Sequence, residues 1–237
     1  MKQDLSRRWL SDTGKQLLKM LLEEGSLREH LDLLRSLNDY QELEERFDLR
    51  RLELLSLDLP NLDLSECNLE GGVLHGCRLP WINLAGASLS KGKLVECELG
   101  HAIVIGGNLR GASLTSCTLT GADLNGVEAG GATFTKVHFS ECTMSFARFD
   151  GCVFEACTFE RLRLTDLDLS GSRIAHSSFR NVHLAGAILS GLVLEGCELA
   201  SLQLEKPVLA EPGSFDKGCV LTAEQQEVLV RAGFRAA

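Results

Sequence analysis

The sequence predicts an all-β solenoid with helical ends. Three observations predict it: an apolar residue at every fifth position, a small residue two places before it, and frequent glycine two places after it. A helix advances about 100° per residue, so a five-residue step rotates each side chain by roughly 140° and scatters the leucines around the cylinder. In a flat strand five is odd, and successive leucines point to opposite faces. A chain that runs extended for a few residues, turns a corner and repeats sends every fifth side chain into one interior. From Leu54 to Leu209 the register holds over 32 consecutive positions, all apolar, of which 22 are Leu and six are Phe. At 44% apolar composition chance alone gives this with a probability of roughly 10⁻¹¹.

Residues 1 to 51 read as a helical cap, because the end coil of a solenoid exposes apolar edges and unpaired backbone. Leu17, Leu18, Leu21 and Leu22 share one helix face, Gly25-Ser26 stops that helix, and Leu27, Leu31, Leu34 and Leu37 define a second. After Tyr40 the chain is expected to extend into the first coil. Residues 52 to 211 are the repeat body. Its second inward position includes Cys67, Gly72, Cys77, Ala87, Gly92, Cys97 and Ala102, with larger Leu or Ile mainly near the two ends, since side chains two apart in an extended segment share a face. The corner position holds 13 of the 23 glycines, which tolerate the angles a tight corner needs. A period of twenty aligns Cys77, Cys97, Cys117, Cys157 and Cys197, and likewise Phe139, Phe159 and Phe179, which gives four pentads to each coil and about eight coils. In residues 212 to 237, Pro207 and Pro212 are expected to break the register on entry. Thr222 with Gln225 forms a capping box for a short helix bearing Val228, Leu229 and Phe234.

Ala122-Asp123-Leu124-Asn125-Gly126 matches a small residue, Asp or Asn, Leu or Phe, and two variable residues. In this motif the chain resembles the pentapeptide-repeat family, over about two thirds of its length. The resemblance implies a right-handed quadrilateral β-helix. It further implies two functional possibilities seen in that family: binding of DNA gyrase or topoisomerase IV by a DNA-mimicking rod, and homodimerisation through the C-terminal helix, for which Val228, Leu229 and Phe234 are the candidates. A plain C-terminal lid is the other reading of that helix.

Charge limits the partners. The net charge of −9 divides as −1 on residues 1 to 51, −8 on residues 52 to 211 and zero beyond. A direct nucleic-acid binder needs the opposite sign. No signal peptide and no apolar run of 18 residues is visible, so the reading is a cytosolic protein without a membrane partner. Eight of the nine cysteines (67, 77, 97, 117, 142, 152, 157 and 197) occupy the small inward position, and only Cys219 lies elsewhere. This use as small hydrophobes requires neither disulfides nor a metal.

Catalysis needs convergent groups, and stacking by twenties sets no histidine beside both a carboxylate and a hydroxyl: His138 falls between Thr118 and Thr158, His183 between Arg163 and Gln203, and His176 between Ala156 and Gly196. The reading is therefore a non-catalytic protein without a cofactor, whose function lies on its surface as a protein-interaction scaffold or regulatory binder. Outward positions are mostly polar, so Trp81, Ile103, Ile105 and, two coils on, Phe146 stand out along one side, with His101 stacked between Trp81 and Gly121. Packing of the N-terminal helices over Trp81 is the alternative use of that patch. Against a DNA mimic, charge signs alternate along the coils: Glu128, Arg148 and Asp168 in turn, Glu141 against Arg161, Glu98 against Arg78.

Overall fold

A computed structural model of the protein describes residues 9, 11–24, 47–199 and 201–236. Strands pair in parallel with an offset of twenty residues: Leu54 with Leu74, then Leu94, Leu114, Phe134, Phe154, Ile174 and Leu194. Each coil has four short sides, here numbered from the one that carries Leu54. Side one forms a ten-stranded sheet from Glu53–Leu55 to Arg235–Ala236. Sides two and three share a four-stranded sheet, because Thr158–Thr165 and Ser178–Ala185 run as single eight-residue strands across the corner between them. Side four is held by isolated parallel bridges such as Asn108 with Glu128 and Arg148 with Asp168.

The corners follow one conformation. Every residue at the corner position from Arg51 to Lys206, Ser201 excepted, has φ between 47° and 70°. Eighteen of these are not glycine. The left-handed region costs an ordinary residue about 1 kcal/mol, and the ladder offsets it, since corner N–H groups in the regular coils are used: Trp81 donates to Gly100 at 2.8 Å and His101 to Thr120 at 2.8 Å. Glycine is thus favoured at the corner and not required.

Both inward positions are buried. The central residues run through the rod in columns with the phenylalanines stacked face to face: Phe134 on Phe154 at 4.8 Å, Phe139 on Phe159 at 5.2 Å, and Phe159 on Phe179 at 4.8 Å. A gap among them, between Phe139 and Leu184, is about 20 Å³ with an apolar lining. That is room for one water with no polar partner to hold it. The small neighbours do more than fill space. The thiols of Cys77, Cys97, Cys117, Cys152 and Cys157 donate to the carbonyls of Leu54, Leu74, Leu94, Ala129 and Phe134 at 3.0 to 3.4 Å, and Ser172 does the same to Phe149 at 2.6 Å. The sequence reading treated these cysteines as hydrophobes only. A side-chain donor at this position meets the carbonyl 23 residues earlier, a relation that pentad spacing alone does not reveal.

All nine cysteines are free. Burial pushes Cys142 and Cys157 up to about 11, and Cys152 and Cys197 up to about 12. With a folded value above that of the unfolded thiol, roughly 8.5, this contribution to stability is complete below that pH and is lost as pH rises through 11 to 12. The eight buried thiols are expected to react with a bulky maleimide at pH 8 far more slowly than in denaturant, because each is at most 5% exposed and the reagent cannot reach it in the closed coil. Rapid labelling of native Cys117 would contradict the inward column.

The ends are closed differently. Helix α1 (Asp12–Glu24) buries Leu17 and Leu21, with Leu18 partly buried. Ser11 Oγ accepts from the N–H of Gly14 at 3.0 Å and caps this helix. Trp9, also buried, donates its indole N–H to the carbonyl of Arg50 at 3.2 Å, and Arg50 grips buried Asp48 through two hydrogen bonds of 2.8 and 2.9 Å. Among the described residues strand pairing begins at Phe47, opposite Cys67. The side chain of Leu22, Gly25-Ser26, the second helix expected around Leu27 to Leu37, and the extension after Tyr40 lie outside the described residues.

At the far end Pro207 does not break the register, because Val208 still pairs with Ile188 at the offset of twenty. At the same point of earlier coils the N–H donates a local turn bond, as Gly107 does to Val104, so a missing N–H takes nothing from the ladder. The shift falls between Val208 and Glu211, whose carbonyl takes the N–H of Gly191 one residue later than in other coils, and beyond it Val193 pairs with Ser214 and Glu198 with Val220. Helix α2 (Ala223–Arg231) then crosses the end of the core, started by the expected capping box of Thr222 and Gln225.

Candidate partner-binding side

Side three carries the predicted patch. Trp81 and His101 occupy successive corners between sides two and three, with φ of 62° and 56°. Their rings stack at 4.2 Å with an interplanar angle of 12°. The next residue in that corner, Gly121, is what admits the imidazole: a Cβ there would lie 2.5 Å from His101 Nδ1. Ile103 and Ile105 flank buried Val104 and point outward from the same coil as His101. Trp81 is 53% exposed, Ile103 36% and Ile105 45%, so among the described residues the helical cap leaves the patch open. Helix α1 is spent on the end of the rod instead.

Phe146 is set apart. It is 67% exposed, at the opposite corner of side three, and a polar coil separates it from the isoleucines. There Thr143 donates to Asp123 at 3.0 Å, Asn125 to Thr143 at 3.2 Å, and the N–H of Ser145 to Asn125 at 2.7 Å. The structure therefore brings together Trp81, His101, Ile103 and Ile105, and places Phe146 at the far edge of the same side. Exposed Leu55, Val153, Val208, Val220 and Val230 escaped the sequence reading, and they lie on other sides or at the C-terminal end. Of the three dimerisation candidates, Leu229 and Phe234 are buried within the chain and Val228 is half-buried.

Charge on the rod is paired in part. Arg78 bridges Asp58 at 2.9 Å and Glu98 at 3.3 Å, Arg161 meets Glu141 at 3.0 Å, and Arg110 meets Glu128 at 3.1 Å. Arg173 lies between Glu155 and Glu195. His176 Nδ1 also contacts Glu155, at 2.7 Å. The His176 hydrogen bond and then Arg173 hold that carboxyl below the usual range. His183 reaches Glu205 at 3.4 Å. Stacking by twenties missed both histidine pairs because the side chains lean diagonally, to residues 21 and 22 positions away. Neither imidazole has a hydroxyl or thiol partner, and among the described residues no three His, Cys, Asp or Glu side chains converge as a metal site would need. No described helix is long and apolar enough to cross a membrane.

The profile described as pentapeptide repeats (8 copies) matches residues 63–100 and 93–128, and that of the pentapeptide repeat region matches residues 132–207. The chain belongs to the pentapeptide repeat family. Its members are right-handed β-helices, and the present rod is one of about nine turns. Similar solved structures include HetL, a pentapeptide repeat protein involved in heterocyst differentiation regulation in the cyanobacterium Nostoc sp., at 18% identity over 68% of this chain and 84% of that one, with a TM-score of 0.40. A trypsin-treated form of QnrB1, a plasmid-mediated fluoroquinolone resistance protein, matches at 16% identity over 80% and 95% of the two chains, with a TM-score of 0.36. A pentapeptide repeat protein of the Arabidopsis thaliana thylakoid lumen matches at 20% identity over 58% and 68%, with a TM-score of 0.29. No curated protein matches the chain.

Proposed function

We propose that this pentapeptide repeat protein is a non-catalytic interaction scaffold that engages a partner protein through side three. One observation carries the reading: Trp81, His101, Ile103 and Ile105 form an exposed cluster on an otherwise polar, rigid surface. An aromatic anchor among branched aliphatics is the composition from which binding hot spots are built. Two features hold the cluster in place without a partner. Ring stacking fixes Trp81, and the ladder fixes the spacing of the isoleucines. Little side-chain freedom remains to be lost on association. Free thiols throughout suit a reducing compartment, and the cytoplasm is the location we infer.

The test is affinity capture from the native host with the unaltered protein, with Trp81→Ser/Ile103→Ser, and with Val153→Ser as a control on side one. The reading expects a partner retained by the first and third and reduced at least tenfold by the second. Identical captured proteins with all three would refute it. The alternative, a DNA mimic acting on DNA gyrase or topoisomerase IV, needs an unbroken acidic stripe, whereas Arg78, Arg110, Arg148, Arg161 and Arg173 interrupt the columns. Inhibition of gyrase supercoiling by the purified protein would favour that alternative. We assign the C-terminal helix to capping the rod, the role that consumes Leu229 and Phe234.

A further inference from the structure

The four sides of the rod do not end at the same level. Side one continues past the last regular coil through Ser214–Phe215 and Arg235–Ala236, and side two through Val220, which bridges Glu198. Side three stops at the strand Leu202–Glu205, which pairs with Val182–Ala185 along one edge and is the last of its sheet. The residues one coil further on belong to α2 and the turn before it, and they supply no strand.

Earlier coils show what such an edge offers. The N–H of Leu124 donates to the carbonyl of Thr143 at 2.8 Å, that of Gly126 to Ser145 at 3.0 Å, and the carbonyl of Ala122 accepts from Thr143 at 3.1 Å. The equivalent groups on the last strand are the N–H of Leu204, the N–H of Lys206 and the carbonyl of Leu202. They face the space beyond the coil. Beside them α2 leaves a groove of about 500 Å³, lined by Leu202, Gln203 and Leu204 on one wall and by Leu221, Gln225 and Val228 on the other. Binding sites span roughly 300 to 1,000 Å³, so the groove is large enough for a short peptide. Leu202 and Leu204 are only partly buried, whereas their counterparts one coil earlier, Val182 and Leu184, are 1% and 3% exposed.

We propose that this edge is a strand-acceptor site. An extended segment of a partner protein adds as the next parallel strand of side three, with an apolar residue over Leu204 and a second one two places earlier over Leu202. The occupant follows from the ladder. Elsewhere on side three the same groups are met by a parallel bridge or strand of this register, from Asp63–Asn83 to Asp123–Thr143 and from Arg163–His183 to Gln203, and unpaired edge groups are a template for more strand. A helix uses its own N–H and carbonyl groups internally and leaves the edge unsatisfied. A second copy of this chain related by a two-fold axis would meet the edge antiparallel, with α2 against α2. The proposal is independent of the Trp81 patch, from which this groove is separated by several coils.

The probe is a fluorescein-labelled peptide that copies residues 178–187, the strand one coil earlier, titrated with the full-length protein and read by fluorescence anisotropy. Saturable binding is expected. It should weaken at least tenfold when the peptide's copy of Leu184 becomes Asp, and likewise when the backbone amide of its copy of His183, which would donate to the carbonyl of Leu202, is methylated. On the protein, Val228→Trp fills the groove and should weaken binding at least tenfold with the melting temperature unchanged. Trp81→Ser should bind the peptide as the unaltered protein does, which separates failure here from failure of the patch. If Val228→Trp does not fold, the methylated peptide decides the matter on the unaltered protein. Absence of saturable binding, or equal affinity for methylated and parent peptides, would overturn the proposal. So would a dimer in sedimentation equilibrium that Val228→Trp dissociates, because a second copy would then own the edge.

Discussion

Leu119→Asp is expected to abolish the folding of the central coils. Leu119 is 3% exposed on side two, beneath Phe139 in the same column, with its N–H bonded to the carbonyl of His138. A carboxylate placed there finds no cation, since every neighbour in the interior is apolar or a thiol. It must either remain charged in a dry medium or take up a proton, and each course costs several kcal/mol. Removal of the leucine packing adds about 2–5 kcal/mol. Domains are stable by about 5–15 kcal/mol, so the sum reaches the whole margin. Because a solenoid coil touches only its neighbours, the loss should divide the rod at the substituted coil. Circular dichroism and limited proteolysis should show loss of the β signal and cleavage near residue 119. Leu119→Met preserves volume and should stay within about 1.5 kcal/mol of the unaltered protein. Wild-type-like melting of Leu119→Asp would remove that position from the core.

The second large effect is expected at Phe154→Ala. This ring stacks on Phe134 at 4.8 Å and meets Phe139, Phe149 and Phe159 at centroid distances of 6.3, 5.9 and 5.5 Å. It joins phenylalanines that project from sides one, two and four, so its removal opens a cavity that no single side can collapse to fill. The expected cost is about 3–5 kcal/mol, or a fall in melting temperature of roughly 6–20 °C for a chain of this size. Phe154→Leu, which fills most of the space, should lose much less. Equal melting of Phe154→Ala and the unaltered protein would mean that the stack is not a structural element.

Much of the fold was legible because a solenoid writes its core into the sequence as a period. Cys77, Cys97 and Cys117 announced the twenty-residue coil, and the pairing of Leu54 with Leu74 and of each later central residue with its successor has that offset. The ends were less legible, since there the period stops carrying information. Pairing at Phe47, the register shift beyond Val208 rather than at Pro207, and the return of Arg235–Ala236 to side one are set by how the terminal coil is covered. The surface patch was legible as composition, because Trp81 and Ile103 break a polar pattern. Its division was not, because the hydrogen-bonded coil of Asp123, Asn125 and Thr143 that separates Phe146 depends on side-chain rotamers. The ion pairs of His176 and His183 were missed for the same reason.

The central claim is that sequence distance converts to axial distance at one coil per twenty residues. Ser56, Lys136 and His176 are exposed corner residues of the same edge of the rod, with φ of 53°, 55° and 50°. In a Cys219→Ser background, cysteines placed there can be spin-labelled while the eight buried native thiols stay protected. Electron-electron resonance on Ser56→Cys/Lys136→Cys, four coils apart, should give a narrow distribution near 19 Å. On Ser56→Cys/His176→Cys, six coils apart, it should lie near 29 Å, both from a spacing of about 4.8 Å per coil. Broad distributions, or distances that do not grow in proportion to the number of coils, would contradict the square spiral and every inference drawn from its sides.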